Sequence, residues 1–121
     1  MKSDPGFPAV VQLADRQLIA YNAADLETFC SCYSDDVVVL DADGAVTMQG
    51  MQTFRERYAG LFEQFEDVRA VIVGRVHVGA HVVEHELATR RHRESGEESH
   101  FELLVRYTER DGRIATVQFL R

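Results

Sequence analysis

Val10, Ala14, Leu18 and Tyr21 recur at helical spacing, with Gln12, Asp15 and Arg16 off that line, and this predicts a helix over residues 8–23. Asp25 is placed to cap a second, short helix that turns Leu26, Phe29, Cys30 and Tyr33 inward. Ser34-Asp35-Asp36 stops it. Val37 to Leu40 is a continuous, mostly β-branched run, the pattern of a strand covered on both faces. Asp43-Gly44 is a hairpin turn signal, and Val46 to Gln49 returns as a short strand. Gly50 then opens a third helix, Met51 to Gln64, whose inner face carries Phe54, Tyr58, Leu61, Phe62 and, just beyond it, Phe65.

Four strand-like segments complete the chain: Val68 to Val78, Val82 to Arg91, His100 to Thr108 and Arg113 to Leu120. Gly79, Ser95-Gly96 and Asp111-Gly112 mark tight connections between them, so an antiparallel meander is expected. Three helices toward the N-terminal side, packed on a mostly antiparallel sheet, make an α+β fold. Phe101, Leu103, Val105 and Tyr107 share one face, as do Val117 and Phe119 in the last strand. The opposite faces mix polar and apolar residues: Glu102, Leu104, Arg106 and Thr108, and Ile114, Thr116, Gln118 and Leu120. A half-apolar outer sheet face suits a homodimer interface.

At 121 residues the chain is read as one domain over 9–121, long enough to bury roughly two-thirds of its unfolded surface, with residues 1–8 a disordered lead-in. No apolar run approaches the ~20 residues of a membrane span, and MKSDPGFP lacks a signal-peptide core, so a cytoplasmic protein without a membrane partner is expected. The net charge of −7 would repel a phosphate backbone and argues against nucleic acid as a partner. The basic run Arg90-Arg91-His92-Arg93 is followed at once by Glu94, Glu97 and Glu98, as in a solvated hairpin tip; the alternative is an anion-binding patch.

Candidate chemistry centres on Asp41, at the far end of the Val37–Leu40 strand. A strand-end acid is held in place and partly desolvated, the requirements of a general base; the other reading is a turn residue, since Asp41, Asp43 and Gly44 all favour hairpin connections. In Val82-Val83-Glu84-His85-Glu86-Leu87, alternation groups His85 with Val83 and Leu87 and sets the two glutamates on the opposite face. His85 is then either a second acid or base or a core histidine. Cys30 and Cys32 do not share a helix face and are read as structural. Five histidines are present without a metal-ligand spacing, and no glycine-rich nucleotide loop or serine-hydrolase elbow occurs, so neither metal nor cofactor is expected.

The segments AYNAADLETFCSCYSDDVVVLDADG, QGMQTFRERYAGLF and YTERDGRIATVQFL, in that order and spacing, resemble the nuclear transport factor 2-like superfamily, in particular its SnoaL-like and ketosteroid isomerase-like branch. The resemblance implies a strongly curved sheet wrapped around three helices, a cone enclosing a deep apolar pocket, commonly as a dimer. The family's functions range from isomerases and cyclases to cofactor-free binders and association modules. In the isomerases the general base lies eight residues after the aromatic that ends the second helix; counted from Tyr33, that place is Asp41. The supporting tyrosine of the third helix matches Tyr58. The oxyanion-hole tyrosine and acid fall on Gln17 and near Leu103, so steroid isomerisation itself is not implied. Gln17 is either a hydrogen-bond donor in the pocket or a solvated side chain, and Tyr58 either pocket wall or core. The expectation is a pocket for an apolar, carbonyl-bearing small molecule. Asp41, Tyr58 and His85 are the catalytic candidates there, and Gln17, Leu103 and Phe119 the ligand contacts. The chemistry would be isomerisation, cyclisation or dehydration, or binding without chemistry.

Overall fold

A computed structural model describes residues 6–121. Helix α1 spans Ala9–Asn22, α2 Leu26–Ser31 and α3 Met51–Gln64. The Asp25 side chain accepts a hydrogen bond from the Thr28 amide at 3.2 Å and so caps α2. The strands are β1 (Tyr33–Leu40), β2 (Val46–Gln49), β3 (Phe65–Val78), β4 (His81–His92), β5 (Glu98–Arg110) and β6 (Arg113–Phe119). They form a single six-stranded sheet in the order β2-β1-β6-β5-β4-β3. Every pairing is antiparallel except β1 with β6, which runs parallel and joins the N-terminal hairpin to the C-terminal meander. Three helices packed on a six-stranded, mostly antiparallel sheet make an α+β architecture.

Residues 34–36 belong to β1 rather than ending α2, because Tyr33 already pairs with Ile114 of β6. The long strands are bent by bulges. In β3 Ile72 pairs with Glu86 and Gly74 with His85, so Val73 is the extra residue. Before the bulge Ala70 faces inward; after it Arg75 does, on the opposite parity. A second bulge, between Thr108 and Glu109 of β5 opposite β6, turns Ile114 into the core, although alternation from Val117 puts it outside.

The core lies between the helices and the concave sheet face. Phe29 is its centre: its ring stacks on Phe54 at 5.8 Å and 6°, and meets Tyr58 at 4.6 Å and Tyr33 at 5.1 Å. The end of α1 is tied to the β3 edge by Asn22, which donates to the Ala70 carbonyl at 3.0 Å and accepts from the Ala70 amide at 2.7 Å. Cys30 and Cys32 are buried free thiols, each raised above its ordinary pKa by burial. The expected lead-in over 1–8 falls for residues 1–5 outside the described residues. Phe7 is engaged, its ring 5.7 Å from that of His77 and its carbonyl accepting from Gln12 Nε2 at 2.8 Å. Among the described residues no helix is long and apolar enough to cross a membrane.

Strand β4 corrects one expectation. Val82, Glu84, Glu86 and Ala88 are buried, and His85 lies on the outer face with its ring against Glu102. The physical reason is register. Glu84 and Glu86 pair directly with Val105 and Leu103, and direct partners share a face.

Candidate functional site

Two alanines opposite each other, Ala70 of β3 and Ala88 of β4, leave room above the concave face. The space is an inner cavity of about 160 Å³. Helix α1 contributes Gln17, Leu18 and Tyr21, α3 contributes Tyr58 and Leu61, and Phe29 and Tyr33 close the helix side. The sheet supplies Glu86 and Arg90 from β4, Phe101, Leu103 and Tyr107 from β5, and Val117 and Phe119 from β6. A wider outer recess of about 580 Å³ adjoins it and shares Arg90, Phe101, Leu103 and Phe119 as walls.

Glu86 is the carboxylate of the inner cavity. The residue is 9% exposed, and its carboxyl makes no hydrogen bond to another described residue. Burial pushes its carboxyl up to about 7, and the charge of fully buried Glu84 on the same strand face adds to the shift. Its neighbours are phenols. The Glu86 charge raises Tyr21, Tyr33, Tyr58 and Tyr107, each already lifted chiefly by burial. Tyr21 is pushed up to about 12, with Arg90 pulling the other way. All four therefore stay protonated near neutrality and can donate. Tyr33 spends its proton on Gln17 Oε1 at 2.8 Å, whereas the hydroxyls of Tyr21, Tyr58 and Tyr107 have no partner among the described residues.

Gln17, Tyr58, Leu103 and Phe119 all line the inner cavity. Gln17 is buried, 4% exposed, and both ends of its amide are used: Oε1 accepts from Tyr33 and Nε2 donates to the Ala14 carbonyl at 3.0 Å. Asp41 lies elsewhere. It lines the outer recess, half-buried, and its Oδ1 accepts from the amides of Asp43 at 3.0 Å and Ala45 at 2.9 Å. It is the carboxylate that holds the β1–β2 turn. His85 reaches neither space.

Sequence reasoning missed Glu86, Tyr21, Tyr107 and Arg90. The alternation puts Tyr107 on the buried face of β5, and the structure makes it a cavity wall. The signal for Glu86 was available. Once Phe101, Leu103 and Val105 are inward, the Ser95-Gly96 hairpin puts Ala88, Glu86 and Glu84 directly opposite them. Among the described residues no three His, Cys, Asp or Glu side chains stand close enough to hold a metal ion.

The fold and the family match over residues 14–117 together put the chain in the nuclear transport factor 2-like superfamily. Residues 14–117 match the SnoaL-like domain, and the chain belongs to that family. No functionally curated protein matches it by sequence. Among solved structures it is similar to an uncharacterized cystatin-fold protein from Novosphingobium aromaticivorans, at 26% identity and TM-score 0.84, over 96% of this chain and 100% of that one. A hypothetical protein with a ketosteroid isomerase-like fold from Catenulispora acidiphila, in complex with trimethylamine, matches at 16% identity and TM-score 0.75, over 97% and 85% of the two chains. A computationally designed 17-OHP binder matches at 13% identity and TM-score 0.83, over 93% and 92%.

Proposed function

We propose that the protein binds a small apolar molecule bearing a carbonyl group and moves a proton beside that carbonyl, with Glu86 as the base. The observation that carries this reading is one unpartnered carboxyl, poised near neutrality, among phenols that remain donors. The deprotonated Glu86 takes a proton from the carbon next to the carbonyl. The C–H electron pair becomes the C=C bond of an enolate, and the carbonyl pair moves onto oxygen. The free hydroxyl of Tyr58 or Tyr107 hydrogen-bonds that oxygen. In a β,γ-unsaturated ketone the enolate extends through the neighbouring C=C, and protonated Glu86 returns its proton to the γ carbon to complete an isomerisation. In a β-hydroxy ketone the enolate re-forms the carbonyl and a new C=C as the C–O bond breaks, and protonated Glu86 gives its proton to the departing hydroxyl, which leaves as water. The inner cavity has room for about one ring, since a cavity of about 150 Å³ holds benzene. The rest of a larger ligand would lie in the outer recess.

Asp41 is the competing base, reachable only from the recess and already engaged by two amides. Exchange of the α-protons of cyclic ketones in D₂O, followed by NMR, separates the two. Glu86→Gln is expected to lower exchange by about 10²-fold or more, the scale of a general base, and Asp41→Asn to leave it within a few-fold. Loss of exchange in Asp41→Asn alone assigns the base to Asp41.

A second reading is a binding module without chemistry. The commitment of the Gln17 amide and the apolar Leu103 favour it, because neither offers a donor to an oxyanion. Ligand binding with no exchange in any form supports that role. We further propose a homodimer through the outer sheet face, where Val71, Leu87, Leu104 and Leu120 are exposed.

A further inference from the structure

Three arginines in sequence near the β4–β5 hairpin have different surroundings. Arg91 pairs with Asp67 at 2.8 Å and with Glu98 at 3.5 Å, and Arg93 reaches Glu66 at 4.0 Å and the Phe62 carbonyl at 3.3 Å. The side chain of Arg90, on the inward parity of β4, has no ion pair and no hydrogen bond among the described residues, in a chain with 20 acidic side chains. Its Nε is buried without a partner. The guanidinium lies between two rings, 4.3 Å from the Phe65 centroid and 5.1 Å from that of Phe101. It walls both the inner cavity and the outer recess, at their junction.

A buried guanidinium N–H without an acceptor is unfavourable, so a ligand that supplies the acceptor relieves that cost on binding. The two aromatic faces hold its plane and restrict its rotamers, so the fork is presented in one orientation before a ligand arrives. A guanidinium fork matches the two oxygens of a carboxylate, with which it forms parallel N–H···O bonds. The other walls that the two spaces share, Leu103, Phe119 and Phe101, are apolar and would strengthen such a pair, while Asp41, Asp43, Glu102 and Arg121 line the rest of the outer recess. We propose that Arg90 is the recognition residue for a carboxylate on the ligand, so that the natural ligand is a ring-bearing organic acid. Its ring occupies the inner cavity and its carboxylate sits at the mouth. This rests on the reading of the cavity as a small-molecule site, and it names the ligand's charge, which that reading leaves open.

The test is calorimetric titration of matched pairs, 3-phenylpropanoate against 3-phenylpropanamide and a cyclohexenyl carboxylate against its methyl ketone analogue. Wild type, Arg90→Gln, Arg90→Lys and Arg91→Gln are compared, with circular dichroism to check folding. In the wild type each carboxylate is expected to bind about tenfold or more tighter than its neutral partner, the scale of one charge-assisted pair. Arg90→Gln should abolish that preference while keeping the neutral ligand, Arg90→Lys should restore only part of it, and Arg91→Gln should leave it intact. If Arg90→Gln does not fold, the Arg90→Lys and Arg91→Gln comparison decides alone. Equal affinity for acid and amide in the wild type, no binding of either acid at millimolar concentration, or the same loss in Arg91→Gln overturns the proposal. Carboxylate preference without α-proton exchange in any ligand leaves Arg90's role standing and removes Glu86's. Exchange of neutral ketones without carboxylate preference does the reverse.

Discussion

Arg75 on β3 lies directly opposite Glu84 on β4 and donates its Nε to Glu84 Oε2 at 2.7 Å. Its Nη groups reach across to Asp15 of α1, so one guanidinium serves two buried carboxylates. The side chains are 11%, 0% and 3% exposed for Arg75, Glu84 and Asp15. Glu84 Oε1 is left buried without a partner. The cluster is short of positive charge by one, and Glu84 passes that deficit to Glu86, two residues along the same face.

Removing the shared cation should expose that deficit. Arg75→Met is expected to cost about 3–5 kcal/mol at neutral pH, measured by urea unfolding, because two buried acids lose their counter-charge. The loss should shrink as pH falls, since protonated carboxyls need no cation. A cost of a few tenths would mean that water reaches the cluster.

The pH dependence of stability follows from Glu86. Its folded pKa, about 7, lies above the ordinary 4.5, so between those values the native state holds a proton that the unfolded chain releases. Stability therefore falls as pH rises through that window, by roughly 3 kcal/mol in all at about 1.4 kcal/mol per unit. Below pH 4.5 the penalty is absent, and above 7 it is complete. Glu86→Gln should flatten this slope in urea titrations between pH 4.5 and 7. Glu84→Gln should bring the Glu86 midpoint down, as followed by NMR, by removing the like charge beside it.

Asp41 is expected to matter for the hairpin. Asp41→Ala removes the acceptor of the Asp43 and Ala45 amides and should cost about 1–2 kcal/mol in urea unfolding, whereas Asp41→Asn keeps an acceptor oxygen and should cost less. Equal stability of wild type and Asp41→Ala would show that water replaces the carboxylate at the turn.

Phe29→Ala should be among the most damaging core changes, at about 3–5 kcal/mol, because the ring is 1% exposed and touches aromatic side chains from α1, α3 and β1. Phe119→Ala should cost less in the same unfolding assay. That ring is half-buried and already borders open space, so its loss enlarges an existing cavity.

The proposed dimer makes a surface prediction. Leu87 pairs with Val71 on one side and Glu102 on the other, and the Leu120 amide donates to the Leu104 carbonyl at 2.8 Å, so the exposed leucines lie on adjoining strands. Leu87→Glu with Leu104→Glu should convert a dimer to a monomer in sedimentation velocity. A wild-type monomer at tens of micromolar would rule the interface out.

Features set by neighbouring residues were legible in the chain. Asp25 caps α2 because its side chain reaches an amide three residues on, and Asp43-Gly44 turns because glycine there takes a positive φ of 86°. The alternation of Phe101, Leu103, Val105 and Tyr107 named the inner face of β5 because that parity is wholly apolar or aromatic, whereas the other holds Leu104 among Glu102, Arg106 and Thr108. The β4 segment offers no such asymmetry: Val82 and Ala88 lie on one parity, Val83 and Leu87 on the other. Only pairing with β5 decides between them, and it carries Glu84 and Glu86 inside. The bulges at Val73 and opposite Glu109 likewise reverse the facing of Arg75 and Ile114, which no local pattern announces. Capping and turn formation are short-range contacts that the sequence specifies by itself. The choice of which carboxylate enters the cavity is made by strand register, a contact between distant segments, and it gave that place to Glu86 and left Asp41 at the rim.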